Sequence, residues 1–185
     1  MKHPEYDYSL LRSCGEDIFV SAHAFFRRPH LVSIGSHVAV DYGVYCTTAA
    51  EIGDYIHIAP YVTIIGGEKG LLKMDHFTTI AAGSRIISAS DEHLGAGFVG
   101  PTIPDAFRDK VTQLPVIFER FASIGTNVVI MPGVTLGEGS VVGACAYVTE
   151  STEPWTIYTG VPAKPVKMRP REKMIEMAKT LGYGG

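Results

Sequence analysis

The chain has 185 residues, 16 Lys and Arg against 19 Asp and Glu for a formal net charge of −3, and 46% hydrophobic residues. This balance argues against a general nucleic-acid binder, whose footprint is basic, and the length favours one domain with a sizeable core. No apolar run approaches the roughly 18–20 residues of a membrane helix, and MKHPEYDYSLLRSCGED lacks the apolar centre of a signal peptide, so a soluble cytoplasmic protein is expected.

In chain order, residues 1–17 read as an irregular segment with a short helix near Tyr8–Cys14. Ile18–Pro29 looks like two imperfect six-residue units, IFVSAH and AFFRRP, followed by a four-residue slip. From Ile34 an apolar residue recurs every six positions: Ile34, Val40, Cys46, Ile52 and Ile58. Four positions after each comes a second inward candidate: Val38, Val44, Ala50, Ile56 and Val62. A period of six is neither helical nor simple strand alternation; it is an internal repeat, which is read before anything else. The spacing from Ile64 to Met74 is ten, so four residues around Gly66–Lys73 bulge out. The period resumes through Asp91, breaks over Glu92–Ile117, and returns from Phe118 to Glu153. Loops this long inside a compact repeat are usually functional or disordered, and the aromatics and mixed charges here favour an ordered functional loop. Pro154–Pro170 is Pro-rich and basic, and Arg171–Leu181 is helical in pattern, with Gly182 as its stop.

Six residues make one short strand and one turn, and three strands close a triangular coil of about eighteen residues whose neighbours stack at roughly 4.8 Å by parallel pairing. One coil cannot bury its apolar face alone, so several must stack. Fifteen hexads give five clean coils plus partial ones at the ends. The expected fold is all-β: a parallel β-helix over 18–169 with an ejected loop over 92–117, and a short helix and tail over 170–185. Cys14, Cys46 and Cys145 form neither a disulfide nor a metal pattern, and Cys46 falls on an inward position, where it acts as a small hydrophobe.

The hexads resemble the left-handed β-helix hexapeptide-repeat acyltransferases over about Ile18 to Met168. YIHIAPYV (55–62), GSRIISASDEH (83–93), GPTIP (100–104), IGTNVVIMPGVTLGEGSVVGA (124–144) and WTIYTGVPAKPV (155–166) look closest to the sugar N-acyltransferases that act on nucleotide-linked 4-amino-4,6-dideoxy sugars. The resemblance implies a homotrimer, with an acyl-CoA, acetyl-CoA foremost, lying in the groove between subunits. It also implies a nucleotide-linked amino sugar entering near the break in the repeats, and a role in surface-polysaccharide or O-antigen biosynthesis. No nucleic acid, membrane or metal is expected as a partner.

Acyl transfer to an amine requires loss of a proton from the amine, donors for the tetrahedral oxyanion, and departure of the thiolate. Asp91 and Glu92, where the long loop leaves, are two adjacent carboxylates suited to orienting a sugar ammonium or taking its proton. As the alternative, they are a solvated charge pair. Ser84 is either a small ladder residue or, by the resemblance, a hydroxyl near the thioester. His57 precedes inward Ile58 and faces outward, either as a general base in an intersubunit groove or as a packing residue. Gly125, Thr126, Gly143, Ala144 and Ala146 are small residues that let the pantetheine arm approach backbone amides. Lys164, Lys167 and Arg169 offer charge to the CoA phosphates, and Trp155 reads as a cap on the last coil. His93, Phe98, Pro101, Phe107 and Arg108 are the acceptor-binding candidates in the loop.

Two other readings stand beside this one. O-acetylation of a sugar hydroxyl is weakened because the His-Pro pair of the galactoside and maltose O-acetyltransferases is missing from Ser88-Ala89-Ser90-Asp91-Glu92-His93-Leu94. A zinc-binding β-helix of the γ-carbonic anhydrase type needs three placed His, and only His57 and His76 fall on neighbouring coils.

Overall fold

The computed structural model describes residues 6–184. Short strands stack into three walls. The first wall holds Ser13–Cys14, Val32–Ile34, Ala49–Ile52, Leu71–Met74, Val116–Phe118 and Thr135–Leu136. The second holds Phe19–Val20, Val38–Val40, Ile56–Ile58, Thr79–Ile80, Ser123–Ile124, Val141–Val142 and Thr156–Thr159. The third holds Phe25–Phe26, Tyr45–Cys46, Thr63–Ile65, Arg85–Ile87, Val129–Ile130 and Tyr147–Val148. Every pairing within these stacks is parallel, so the domain is a parallel β-helix. The inward residues of the hexads face its interior: Val38, Val40, Ile58, Val62, Ile86, Ile130 and Leu136 are each at most 2% exposed. Burial pushes the Cys46 thiol up to about 11, as befits a core residue.

The start of the solenoid differs from the sequence reading. Ser13–Cys14 already pairs with Ser33–Ile34, so the β-helix begins before residue 18. The helix expected near Tyr8–Cys14 is a single 3-10 turn, Tyr8–Leu10. At the other end, Lys164–Met168 lies within the span expected to be β-helix. It folds back antiparallel on Thr156–Thr159 and terminates the second wall. The α-helix spans Glu172–Thr180, and Gly182 follows it with φ 89°.

The corner between the first and second walls is an aromatic column. His37, Tyr55, Phe77, Phe121 and Trp155 all adopt positive φ there. Successive rings lie 4.5, 5.0, 5.5 and 5.7 Å apart. The final contact skips a coil. Gly139 occupies the intervening corner at φ 66°, and a Cβ on it would lie 2.4 Å from the Trp155 ring. Gly139→Ala is therefore expected to cost about 1–2 kcal/mol for the left-handed backbone alone, with the ring clash added. Calorimetry should show Tm lowered by at least about 3 °C; an unchanged Tm would contradict this account of the corner.

The C-terminal helix is strapped over that column. Met174, Ile175 and Ala178 pack on Phe77, Phe121 and Trp155. The Tyr183 hydroxyl donates to Asp54 Oδ2 at 2.7 Å, and Arg120 Nη1 donates to the Tyr183 carbonyl at 3.2 Å. Burial alone would raise the Asp54 carboxyl. The Ser36 amide, the Tyr183 hydroxyl and the nearby His76 and His37 outweigh it and hold the group below its ordinary value of 3.8. The hydrogen bond to Asp54 in turn pushes Tyr183 up to about 12. The latch is thus intact between the two limits. It is lost in acid as Asp54 protonates below its ordinary value, and lost in base as pH rises toward about 12. Tyr183→Phe should speed proteolytic removal of the helix at neutral pH and flatten the acid limb of that release; equal cleavage of both proteins across pH would refute the latch. Arg169 belongs to the same construction. Its Nη1 donates to the carbonyls of Phe121 and Gly139, so it is a structural staple and not a phosphate ligand.

Candidate active site

The third corner, between the third and first walls, is where the chain leaves the helix. Ser88 ends the coil, its amide donating to the Ile65 carbonyl at 2.7 Å. Ala89–Asp91 then pairs antiparallel with Val111–Gln113, so the long loop stands on a two-stranded stem. Gln113 Nε2 donates to the Gly66 carbonyl at 2.8 Å and ties the stem to the 66–70 turn. The stem, that turn and the N-terminal coils enclose a groove of about 780 Å³.

Asp91, Pro101 and Arg108 line this groove, as do Arg27, Arg28 and Lys69. Arg108 Nε donates to Asp91 Oδ1 at 3.3 Å, with the two side chains only 26% and 17% exposed. Arg28 is held by a 2.8 Å bond from Nη1 to the Thr47 carbonyl. Exposed Phe25 and Tyr45 stack face to face, 5.4 Å apart at 11°, with Tyr45 on the groove rim. The result is two carboxylates, Asp91 and exposed Glu68, among four cationic side chains beside an aromatic face. Such a set, cationic on balance, attracts a polyanion and leaves a carboxylate acceptor for a cationic or donor group. The sequence reading missed Arg27, Arg28 and Lys69, because the first two lie in the imperfect hexads and the third in the bulge.

Several predicted site residues stand elsewhere. Glu92 Oε1 accepts from the Thr112 hydroxyl at 3.3 Å, and its amide bonds the Lys110 carbonyl, so Glu92 braces the stem. His93, at φ 57°, and Phe98 are exposed in the loop and do not line the groove. Ser84 is fully buried. Its hydroxyl donates to the Gly125 carbonyl at 3.1 Å and accepts from the Val128 amide at 3.2 Å, so direct contact with a thioester is corrected to support of the adjoining corner from inside. His57 lies on the outer face of the second wall, where Nε2 meets Asp41 Oδ2 at 2.7 Å. It lines a separate shallow depression with His37, Tyr55 and Thr79. Within one protomer, then, His57 is not beside Asp91.

The residues expected to meet CoA gather at the second corner, between the second and third walls. The Gly125 amide bonds the Val142 carbonyl, and the Gly143 amide bonds the Tyr158 carbonyl, so the two glycines stack one above the other. A Cβ on Gly125 would lie 2.6 Å from the Ala144 nitrogen, which is why the column stays bare. Thr126 and Ala144 are exposed beside it. Ala146 is corrected: at 1% exposure it points into the core, as its hexad position also implied. Lys164 pairs with Thr159 at the top of this corner, and Lys167 opposite Ile157 lies further along the second wall. Both lysines are exposed. Among the described residues no group of three His, Cys, Asp or Glu stands close enough to hold a metal ion.

Residues 115–150 match the family model described as bacterial transferase hexapeptide (six repeats). The dTDP-4-amino-4,6-dideoxy-D-glucose acyltransferase of Escherichia coli is 32% identical over 171 residues, covering 90% of this chain and 86% of that protein. The chain belongs to the hexapeptide-repeat acyltransferases. Among solved members, AntD, an N-acyltransferase from Bacillus cereus in complex with dTDP and 3-hydroxybutyryl-CoA, superposes with a TM-score of 0.91 at 32% identity, over 97% of each chain. A serine-to-cysteine variant of AntD, in complex with dTDP-4-amino-4,6-dideoxyglucose and coenzyme A, superposes with a TM-score of 0.91 over 98% of this chain and 99% of its own. A galactoside acetyltransferase with coenzyme A is similar in fold, with a TM-score of 0.55 at 18% identity.

Proposed function

We propose that this acyltransferase moves an acyl group from acyl-CoA to the amine of a nucleotide-linked 4-amino-4,6-dideoxy sugar. The observation that carries the reading is the groove at the third corner, where Asp91 sits among Arg27, Arg28, Lys69 and Arg108. The cations match a sugar nucleotide's diphosphate, and Asp91 matches its amine. The E. coli and B. cereus relatives supply the acceptor class, a dTDP-linked aminodideoxyglucose. The acyl donor, acetyl-CoA or a longer acyl-CoA, runs along the second corner. Its pantetheine lies over Gly125, Thr126, Gly143 and Ala144, with its phosphates toward Lys164 and Lys167.

In the reaction Asp91 binds the sugar ammonium and accepts its proton. The neutral amine attacks the thioester carbonyl, and the carbon–sulfur bond breaks as the amide forms. The proton shed by the new amide goes to the departing thiolate. An amine needs less activation than a hydroxyl, consistent with the missing His-Pro pair. The reading includes a homotrimer, supported by two features of one protomer. The proposed donor corner and acceptor groove lie at different corners of the triangle, and Phe25, Tyr42, Tyr45 and Tyr61 are left 40–60% exposed. In that assembly His57 of a neighbouring copy faces the groove as a second proton acceptor. A role in lipopolysaccharide or other surface-polysaccharide biosynthesis is supported by a 29% identical relative, the putative lipopolysaccharide biosynthesis O-acetyl transferase WbbJ of E. coli. Among the described residues no helix is long and apolar enough to cross a membrane; the cytoplasmic site of action is part of the proposal.

Thiol release with a panel of amino and non-amino nucleotide sugars tests the reading. Turnover is expected with 4-amino-4,6-dideoxy sugars, and a preference for the hydroxyl acceptors would transfer the assignment to O-acetylation.

A further inference from the structure

Arg108 holds two places at once. Its Nε is spent on Asp91, in a single contact at 3.3 Å that is long for a charged pair. Among the described residues neither of its terminal nitrogens has a hydrogen-bond partner, and both belong to a side chain that lines the cationic groove. The guanidinium fork is thus half used, and its unused half is the part that pairs best with adjacent phosphate oxygens. The backbone around it is firm: the Phe98 amide bonds the Phe107 carbonyl, and the Asp109 amide bonds the Phe98 carbonyl. A shift of Arg108 between partners therefore needs only side-chain rotation.

We propose that Arg108 is a specificity-determining positioning residue that keeps Asp91 occupied until a diphosphate arrives. The inference rests on the acceptor assignment above. Before a diphosphate binds, the guanidinium neutralises Asp91 and competes with any ammonium for it. A nucleotide diphosphate brings at least two negative charges and bidentate oxygens, and draws the fork away from its single carboxylate contact. Asp91 is then free to bind the ammonium and accept its proton. An amino sugar without the diphosphate reaches a carboxylate that is still paired, so it is acylated slowly even when bound. Acceptor selection is in this way made in kcat as well as in KM.

The test compares dTDP-4-amino-4,6-dideoxyglucose with the free amino sugar, in the unaltered enzyme and in Arg108→Gln. Remote binding energy by itself lowers kcat for truncated acceptors, so the deciding quantity is how the gap in kcat changes. In Arg108→Gln the gap is expected to narrow by about tenfold or more, through a rise in kcat for the free sugar, while KM for the nucleotide sugar rises by about tenfold. A residue with a merely structural role would lower both kcat values together. Arg108→Lys keeps the charge without the fork and is expected to fall between the two proteins; if Arg108→Gln does not fold, the same comparison is made with the lysine variant. An unchanged or wider gap, with normal turnover of the nucleotide sugar by the unaltered enzyme, overturns the proposal alone. Absence of turnover with every nucleotide-linked amino sugar overturns the functional assignment together with it.

Discussion

Asp91→Asn is expected to lower kcat by about 10²–10⁴-fold, the usual worth of a positioned proton acceptor. The substitution preserves shape and removes the charge that binds the ammonium and takes its proton. Asp91 lies on the stem of the long loop, remote from the glycine column of the second corner, so the dissociation constant for CoA should stay within about twofold by calorimetry. The Arg108 contact is lost as well, but that pair is partly exposed and contributes little to stability, about 1 kcal/mol or less. A variant with normal kcat would remove Asp91 from the chemistry. A variant with normal kcat and weakened CoA binding would move the donor site to the third corner.

The second large effect concerns stability. Phe118→Ala should destabilise the protein by about 3–5 kcal/mol, the range for a fully buried aromatic ring. Phe118 is 0% exposed and stands in register with Met74 on one side and Leu136 on the other. It is also an inward residue of the first strand after the long loop, so its ring rejoins the two halves of the solenoid. Against a total stability of about 5–15 kcal/mol, the loss should appear as a fall in Tm of roughly 6–20 °C. The fraction that remains folded should keep its kcat, because no atom of the groove is removed. A loss below about 1 kcal/mol would mean that the coils on either side of the loop are stabilised independently.

The two experiments probe different parts of the molecule. In a solenoid each rung contacts chiefly its neighbours, and ejecting a loop at a corner leaves the inward ladder unbroken. The first wall shows this directly: Leu71–Met74 pairs with Val116–Phe118 although about forty residues separate them in sequence. Substrate-binding parts accumulate at such a corner at little cost to the core.

The core was legible in the sequence because the six-residue period is a local signal with a single physical cause. The inward face of every strand must be apolar and small enough to stack, and Val38, Ile58, Ile86, Val128 and Leu136 obey that rule. The helix ending before Gly182 was legible for a similar local reason; Trp155, read as a cap on the last coil, instead packs on the corner column with Phe121 and Ala178. The carboxylate at Asp91 stood out because the period fails there.

Other decisions belonged to the tertiary structure. Ser84 and Ala146 are small residues of the kind that line grooves, yet their second inward positions bury them. Glu92 differs from its neighbour Asp91 only through strand alternation on a stem that the period cannot reveal. Arg27, Arg28 and Lys69 are far from Asp91 in sequence and lie in segments where the repeat is imperfect. They meet it because every third-corner turn stacks on the one before, at a rise of about 4.8 Å per coil. The solenoid and its ladder of inward residues could be read without coordinates, since both follow from a repeated local pattern. Only the closing of the coil decided which charges share the groove, because that depends on which corner each residue reaches and not on its distance along the chain.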